Sequence, residues 1–117
     1  MKIDRDPFII KHLYEYCEKM DSTIRRFGND YDIFASDEQY QMAIAFNLVQ
    51  IGEMIYRLSD TFKNKYDYIP WKAMRGFRNR VVHEYASLDL AIIWQVVKQT
   101  IPVLANLCKK AMNDFSK

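Results

Sequence analysis

At 117 residues the chain is long enough to close one hydrophobic core and too short for two, so a single domain over residues 1–117 is expected. Half of it is hydrophobic, with three glycines and three prolines, a composition that fits disordered, collagen-like and many-turned β architectures poorly and points to an all-α protein. The formal net charge of +2 is too small to make the whole surface a polyanion trap, so any nucleic-acid contact must be local.

Asp6-Pro7 reads as a helix start, with the carboxylate as N-cap and proline at the first helical position, where its missing N–H costs nothing. Ile10, Leu13, Cys17, Met20, Ile24 and Phe27 then recur at steps of three and four, the stripe of a bundle helix, and Gly28-Asn29-Asp30 ends it. A short linker over 31–35 leads to Ser36-Asp37-Glu38-Gln39, which has the form of a capping box. The second helix carries the stripe Tyr40, Ile44, Leu48, Ile51, Ile55 and Leu58, and should pack antiparallel on the first. Gly52 interrupts it at a cost of about 1 kcal/mol relative to alanine, which suggests close approach by another helix. Glu53 is then either exposed beside a tight crossing, the simpler account, or partly buried in support of a site.

Residues 59–69 read as a loop, and Pro70-Trp71 opens the third helix, with Trp71, Met74 and Phe77 spaced as a core face. Ser87 is the expected N-cap of the last helix, with Asp89 in its first turn. Leu90, Trp94, Val97, Ile101, Leu104, Cys108, Met112 and Phe115 form its stripe, and Pro102 should kink it. Four main helices with mostly short connections give an antiparallel up-and-down bundle. Cys17 and Cys108 lack metal-ligand spacing and read as reduced, buried thiols. The first seven residues lack a signal-peptide run and nowhere are there eighteen consecutive apolar residues, so a cytoplasmic protein without a membrane segment is expected.

The densest chemistry lies in Met74-Arg75-Gly76-Phe77-Arg78-Asn79-Arg80-Val81-Val82-His83-Glu84-Tyr85, which holds one of the chain's two histidines. Taken singly, these residues have ordinary explanations: a solvated basic face, an Arg78 ion pair to Glu84 or Asp89, a structural histidine. His12, isolated on the first helix, receives the structural reading. Together, Arg78, four residues, His83, one residue, Tyr85 resembles the Arg-x4-His-x-Tyr motif of HepT-like toxins of the HEPN superfamily. Asn79, Gly52-Glu53 and Pro70-Trp71 stand where that family has similar residues.

The resemblance implies a homodimeric endoribonuclease with a composite site at the dimer interface, no metal and no cofactor, acting on RNA as the toxin of a toxin–antitoxin pair. Arg78 suits phosphoryl oxygens because its guanidinium stays charged and offers a planar fork, and His83 suits proton transfer near neutral pH. Asn79 could orient Arg78, while Arg75 and Arg80 could hold flanking phosphates. One histidine cannot readily be base and acid at once, and on a regular helix Arg78 and His83 lie about 140° apart. Two third helices meeting about a two-fold axis would bring both pairs into one cleft. Tyr85 is open to three readings: a packed ring with a wet hydroxyl, a direct catalytic or stacking role, or, as the resemblance implies, the site adenylylated by an MntA-type minimal nucleotidyltransferase antitoxin. The alternative function is a catalytically silent helical adaptor that binds such a nucleotidyltransferase. A metabolic enzyme lacks support, since there is no metal-ligand cluster or glycine-rich phosphate loop.

Overall fold

A computed structural model describes residues 4–117; residues 1–3, the head of the segment in which no signal run was read, lie outside them. Helix α1 (Asp6–Phe27) buries Ile10, Leu13, Cys17, Met20 and Ile24, and stacks the half-buried Phe27 ring on Tyr40 at 4.8 Å. Gly28 ends it at φ 125°, a left-handed conformation that other residues rarely adopt, and returns its N–H to the Ile24 carbonyl. Asp6 is not the cap. Arg5 holds that position, and the buried Asp6 carboxylate instead accepts from the Ser59 N–H at 3.0 Å and the Ser59 hydroxyl at 2.6 Å. Two donors from a distant segment have won over the local ones, bolting the first turn of α1 to the start of α4 (Asp60–Lys65).

The linker after α1 is in fact a six-residue helix, α2 (Tyr31–Ser36), capped by Asp30 and held by Phe34, which is fully buried against Trp94 and Tyr40. Six residues are too few to show a stripe. Helix α3 (Glu38–Arg57) is capped one residue later than expected, by Asp37, which accepts from the Gln39 and Tyr40 N–H groups at 2.9 and 3.2 Å. The Ser36–Gln39 capping box does not form, because the Ser36 hydroxyl turns back to the Asp32 carbonyl at 2.8 Å. The stripe from Tyr40 to Leu58 is buried throughout. The expected loop 59–69 also contains structure: Ser59 caps α4, and Phe62, Tyr66 and Ile69 enter the core.

Helix α5 (Trp71–Glu84) follows Pro70 and runs into a 3-10 turn over Tyr85–Ser87. The last helical run comprises α6 (Leu90–Gln95), a π-helical turn over Val96–Thr100, and α7 (Ile101–Phe115). Its cap is Asp89, accepting from Ala91 N–H at 2.9 Å, and not Ser87, whose hydroxyl donates to the Glu84 carbonyl. The irregularity expected at Pro102 takes the form of that π turn: Ile101 N–H reaches back to the Val96 carbonyl just before the residue that has no N–H of its own.

Helix α1 is central, packed on α3 and α7, and α3 carries α5 on its other flank. The result is an all-α helical bundle, as expected, with no strand among the described residues. Cys17 and Cys108 are both free and buried, and they meet across the α1–α7 contact; hydrogen bonding to Cys108, then burial, pushes the Cys17 thiol well up. By length and composition the run Leu90–Phe115 could cross a membrane, but Ile93, Val97, Ile101, Leu104, Leu107 and Cys108 are spent on the bundle core.

Candidate nucleic-acid site

Helix α5 is lightly packed. Of its fourteen residues only Trp71 and Val81 are buried, so it lies on the bundle with most of its surface uncovered. Trp71 fixes its start: the indole N–H donates to the Tyr66 and Lys63 carbonyls at 3.0 and 3.2 Å, which makes it a packing anchor, as its spacing suggested. Further along, Arg78 crosses α3 at Gly52. A Cβ on Gly52 would collide with the Cβ and Cγ of Arg78, so the close approach read from that glycine is made by the arginine stem.

From there the guanidinium reaches the Glu53 carboxylate through Nη2 and the Asn79 amide oxygen through Nη1 at 2.8 Å. Neither Glu84 nor Asp89 is its partner; Glu84 faces Arg80 at 3.7 Å. Glu53 is therefore the residue that aims Arg78, rather than an exposed bystander, and its side chain is 34 % exposed. The Arg78 Nε is buried with no partner.

Arg75 lies one turn before, its guanidinium 4.5 Å from the centroid of the Tyr56 ring. Gly52, Glu53 and Tyr56 from α3 and Arg75, Arg78 and Asn79 from α5 together line a polar pocket of about 240 Å³. Both triplets have three- and four-residue spacing, which puts each on one face of its helix. Tyr56 was missed from the sequence; the available signal was its place three residues after Glu53.

His83 is exposed, its imidazole bonds to no protein group among the described residues, and it does not line this pocket. It lies four residues after Asn79, about 40° round the helix, so the Arg75–Asn79–His83 stripe carries the pocket's edge towards it. Arg80 is exposed and faces the other way, onto an apolar cavity of about 400 Å³ between α3, α5 and the π turn, lined by residues such as Leu48, Met74, Phe77 and Ile101. Tyr85 packs against the core and its hydroxyl is buried without a partner, contrary to the wet hydroxyl of the packed-ring reading. Burial, with the Glu38 carboxylate adding to it, raises its pKa above the ordinary phenol value. His12 is a half-exposed surface residue 3.5 Å from Glu15. No cluster of His, Cys, Asp or Glu suited to a metal occurs among the described residues.

A guanidinium fixed by a carboxylate and an amide, with a second cation a turn away, is suited to a phosphodiester, and a free imidazole further along the same helix is suited to proton transfer. Fold and site thus define a helical bundle that presents a cationic pocket where a weakly packed helix crosses α3. The profile described as Ribonuclease HepT-like matches residues 13–111, and the chain belongs to that family. It is 37 % identical over 92 residues to "Putative RNase MJ0127" of Methanocaldococcus jannaschii, covering 77 % of this chain and 75 % of that protein. It is 28 % identical over 103 residues to "Putative RNase TTE0752" of Caldanaerobacter subterraneus subsp. tengcongensis, covering 88 % and 90 %. Against "Probable ribonuclease HepT" of Thermococcus cleftensis the identity is 31 % over 80 residues, covering 68 % and 73 %. No solved structure gives a match.

Proposed function

We propose that this ribonuclease is the cytoplasmic toxin of a toxin–antitoxin pair, cutting RNA without metal at a composite site of a homodimer and silenced by adenylylation of Tyr85. The observation that carries the reading is the fixing of Arg78 over Gly52 by Glu53 and Asn79, which pre-orients a phosphate-binding fork. Arg78 neutralises the phosphoryl oxygens as they gain charge. His83 takes the 2′-hydroxyl proton, and the second chain's His83 delivers a proton to the leaving 5′-oxygen. Arg75 holds flanking backbone.

Two observations support a second copy. Within one chain His83 stays out of the Arg78 pocket, and α5 leaves beside it an apolar cavity and the exposed Val82, which a partner helix could cover. The buried Tyr85 hydroxyl bears on the control step: the 3-10 turn Tyr85–Ser87 must open before a nucleotidyltransferase can reach it. Once attached, the phosphodiester would set an anion near Arg78 and His83 and obstruct RNA.

The silent-adaptor reading draws on the same separation of His83 from Arg78. The two part on RNA cleavage in excess chelator by wild type and His83→Ala, with intact mass measured after co-expression with the nucleotidyltransferase. The toxin reading expects cleavage that needs His83 and disappears when one nucleotide mass is added on Tyr85. Absence of cleavage with partner binding intact would leave the adaptor.

A further inference from the structure

Tyr56 is the one member of the polar pocket that the sequence reading did not single out. The residue is 58 % exposed, although it stands on a well-packed helix one turn beyond Gly52. It is nonetheless held in place: the backbone belongs to α3, and the Arg75 guanidinium lies 4.5 Å from its centroid. Gly52, Tyr56 and Arg78 line one pocket of about 240 Å³, room for a group of nucleobase size.

We propose that Tyr56 is a stacking platform for one unpaired base next to the phosphate held by Arg78. The inference rests on the reading of Arg78 as the phosphate anchor. Arg75 covers one face of the ring and leaves the other for a base, and an aromatic ring among guanidinium groups is the combination that binds single-stranded nucleic acid: the cations follow the backbone and the open face takes a base. The polar atoms around it set the selectivity. Arg78 occupies one Glu53 oxygen and the Asn79 amide oxygen, so Glu53 Oε2 is left as an acceptor and Asn79 Nδ2 as a donor. Every base carries a neighbouring donor and acceptor, so this pair steadies a base edge without choosing among bases. The pocket therefore selects unpaired RNA over duplex, whose bases are stacked away, and tolerates sequence at this position.

The test uses the full chain carrying His83→Ala, so that RNA is bound and not cut, and reads the Kd of a fluorescent single-stranded oligoribonucleotide by anisotropy. Tyr56→Phe keeps the ring and should bind as the parent does. Tyr56→Leu should weaken binding about ten-fold or more, with thermal midpoint and assembly mass unchanged and duplex binding unaffected. Equal single-strand binding by Tyr56→Leu, in a protein that Arg78→Ala still weakens, overturns the platform alone. Loss of binding only together with a changed assembly mass overturns it too, placing Tyr56 in an interface between chains. If Arg78→Ala has no effect, the phosphate-anchor reading falls first and the platform with it.

Discussion

Two regions of this molecule are built to opposite specifications. The layer formed by α1, α3 and the last helical run is saturated: Leu13, Ile44, Ile51, Leu104 and Cys108 are all at or near zero exposure. Helix α5 buries only Trp71 and Val81, and its polar residues project from the bundle, apart from Arg78, which is drawn onto α3. The first region holds the fold and, on the proposed function, the second carries the chemistry. A helix kept in place by Trp71 and Val81, with Met74 and Phe77 half-buried beside them, leaves the rest of its surface uncovered.

That division makes function and stability separable, and the largest expected effects test it. Arg78→Ala should lower RNA cleavage by about a hundred-fold or more while moving stability by no more than about 1 kcal/mol, since the Glu53 pair it breaks is partly solvated. Leu104→Ala should do the reverse, costing about 2–5 kcal/mol of stability while leaving the cleavage rate of the folded fraction near wild type. Urea unfolding beside single-turnover cleavage reads both. If Arg78→Ala unfolded the chain as readily as Leu104→Ala, the two-region description would fail.

Gly52→Ala probes the seam between the regions. The new methyl group meets the root of the Arg78 side chain, not its mobile end, so α5 itself has to shift. A cost of about 1–3 kcal/mol is expected from overpacking, offset by about 1 kcal/mol of helix propensity. The displaced guanidinium should lower cleavage by about a hundred-fold. Native-like circular dichroism with undiminished activity would show that the seam does not aim Arg78.

The long helices were legible because each carries its own three-and-four stripe, and every residue of the α3 stripe is indeed buried. What escaped was decided by partners distant in the chain. Asp6 gave up its cap for Ser59, and α2 and α4 are turns of helix pinned by Phe34 and Phe62, too short to show periodicity. Capping moved from Ser36 to Asp37 and from Ser87 to Asp89, where an aspartate one or two residues on accepts from N–H groups of its own first turn. The site divided in the same way. Arg78, Asn79 and Arg75 could be grouped because one helix spaces them, whereas the aiming role of Glu53 and the presence of Tyr56 depend on how α3 lies against α5, which no local pattern encodes.

The smallest expected effect sharpens the description of the saturated region. The Tyr66 hydroxyl donates to the Asp114 carboxylate at 2.8 Å, and burial together with that carboxylate raises its pKa from 10.0 to about 12. Because the folded value is the higher one, the stability it contributes is fully present below pH 10 and is lost as pH climbs towards 12. Between about pH 9 and about pH 11 the wild type should lose more stability than Tyr66→Phe, which lacks this group. Equal losses in urea titrations at the two pH values would remove Tyr66–Asp114 from the list of core ties.

The central claim, that two chains complete one site, is tested most directly by mixing. Wild-type and His83→Ala proteins are unfolded together in varying ratio, refolded together and assayed for RNA cleavage in chelator. A site that needs His83 from both chains predicts that cleavage falls as the square of the wild-type fraction, because a mixed dimer lacks either the base or the acid. A fall in direct proportion to the wild-type fraction, with mixed assemblies verified by mass, would place the whole site in one chain and contradict the account.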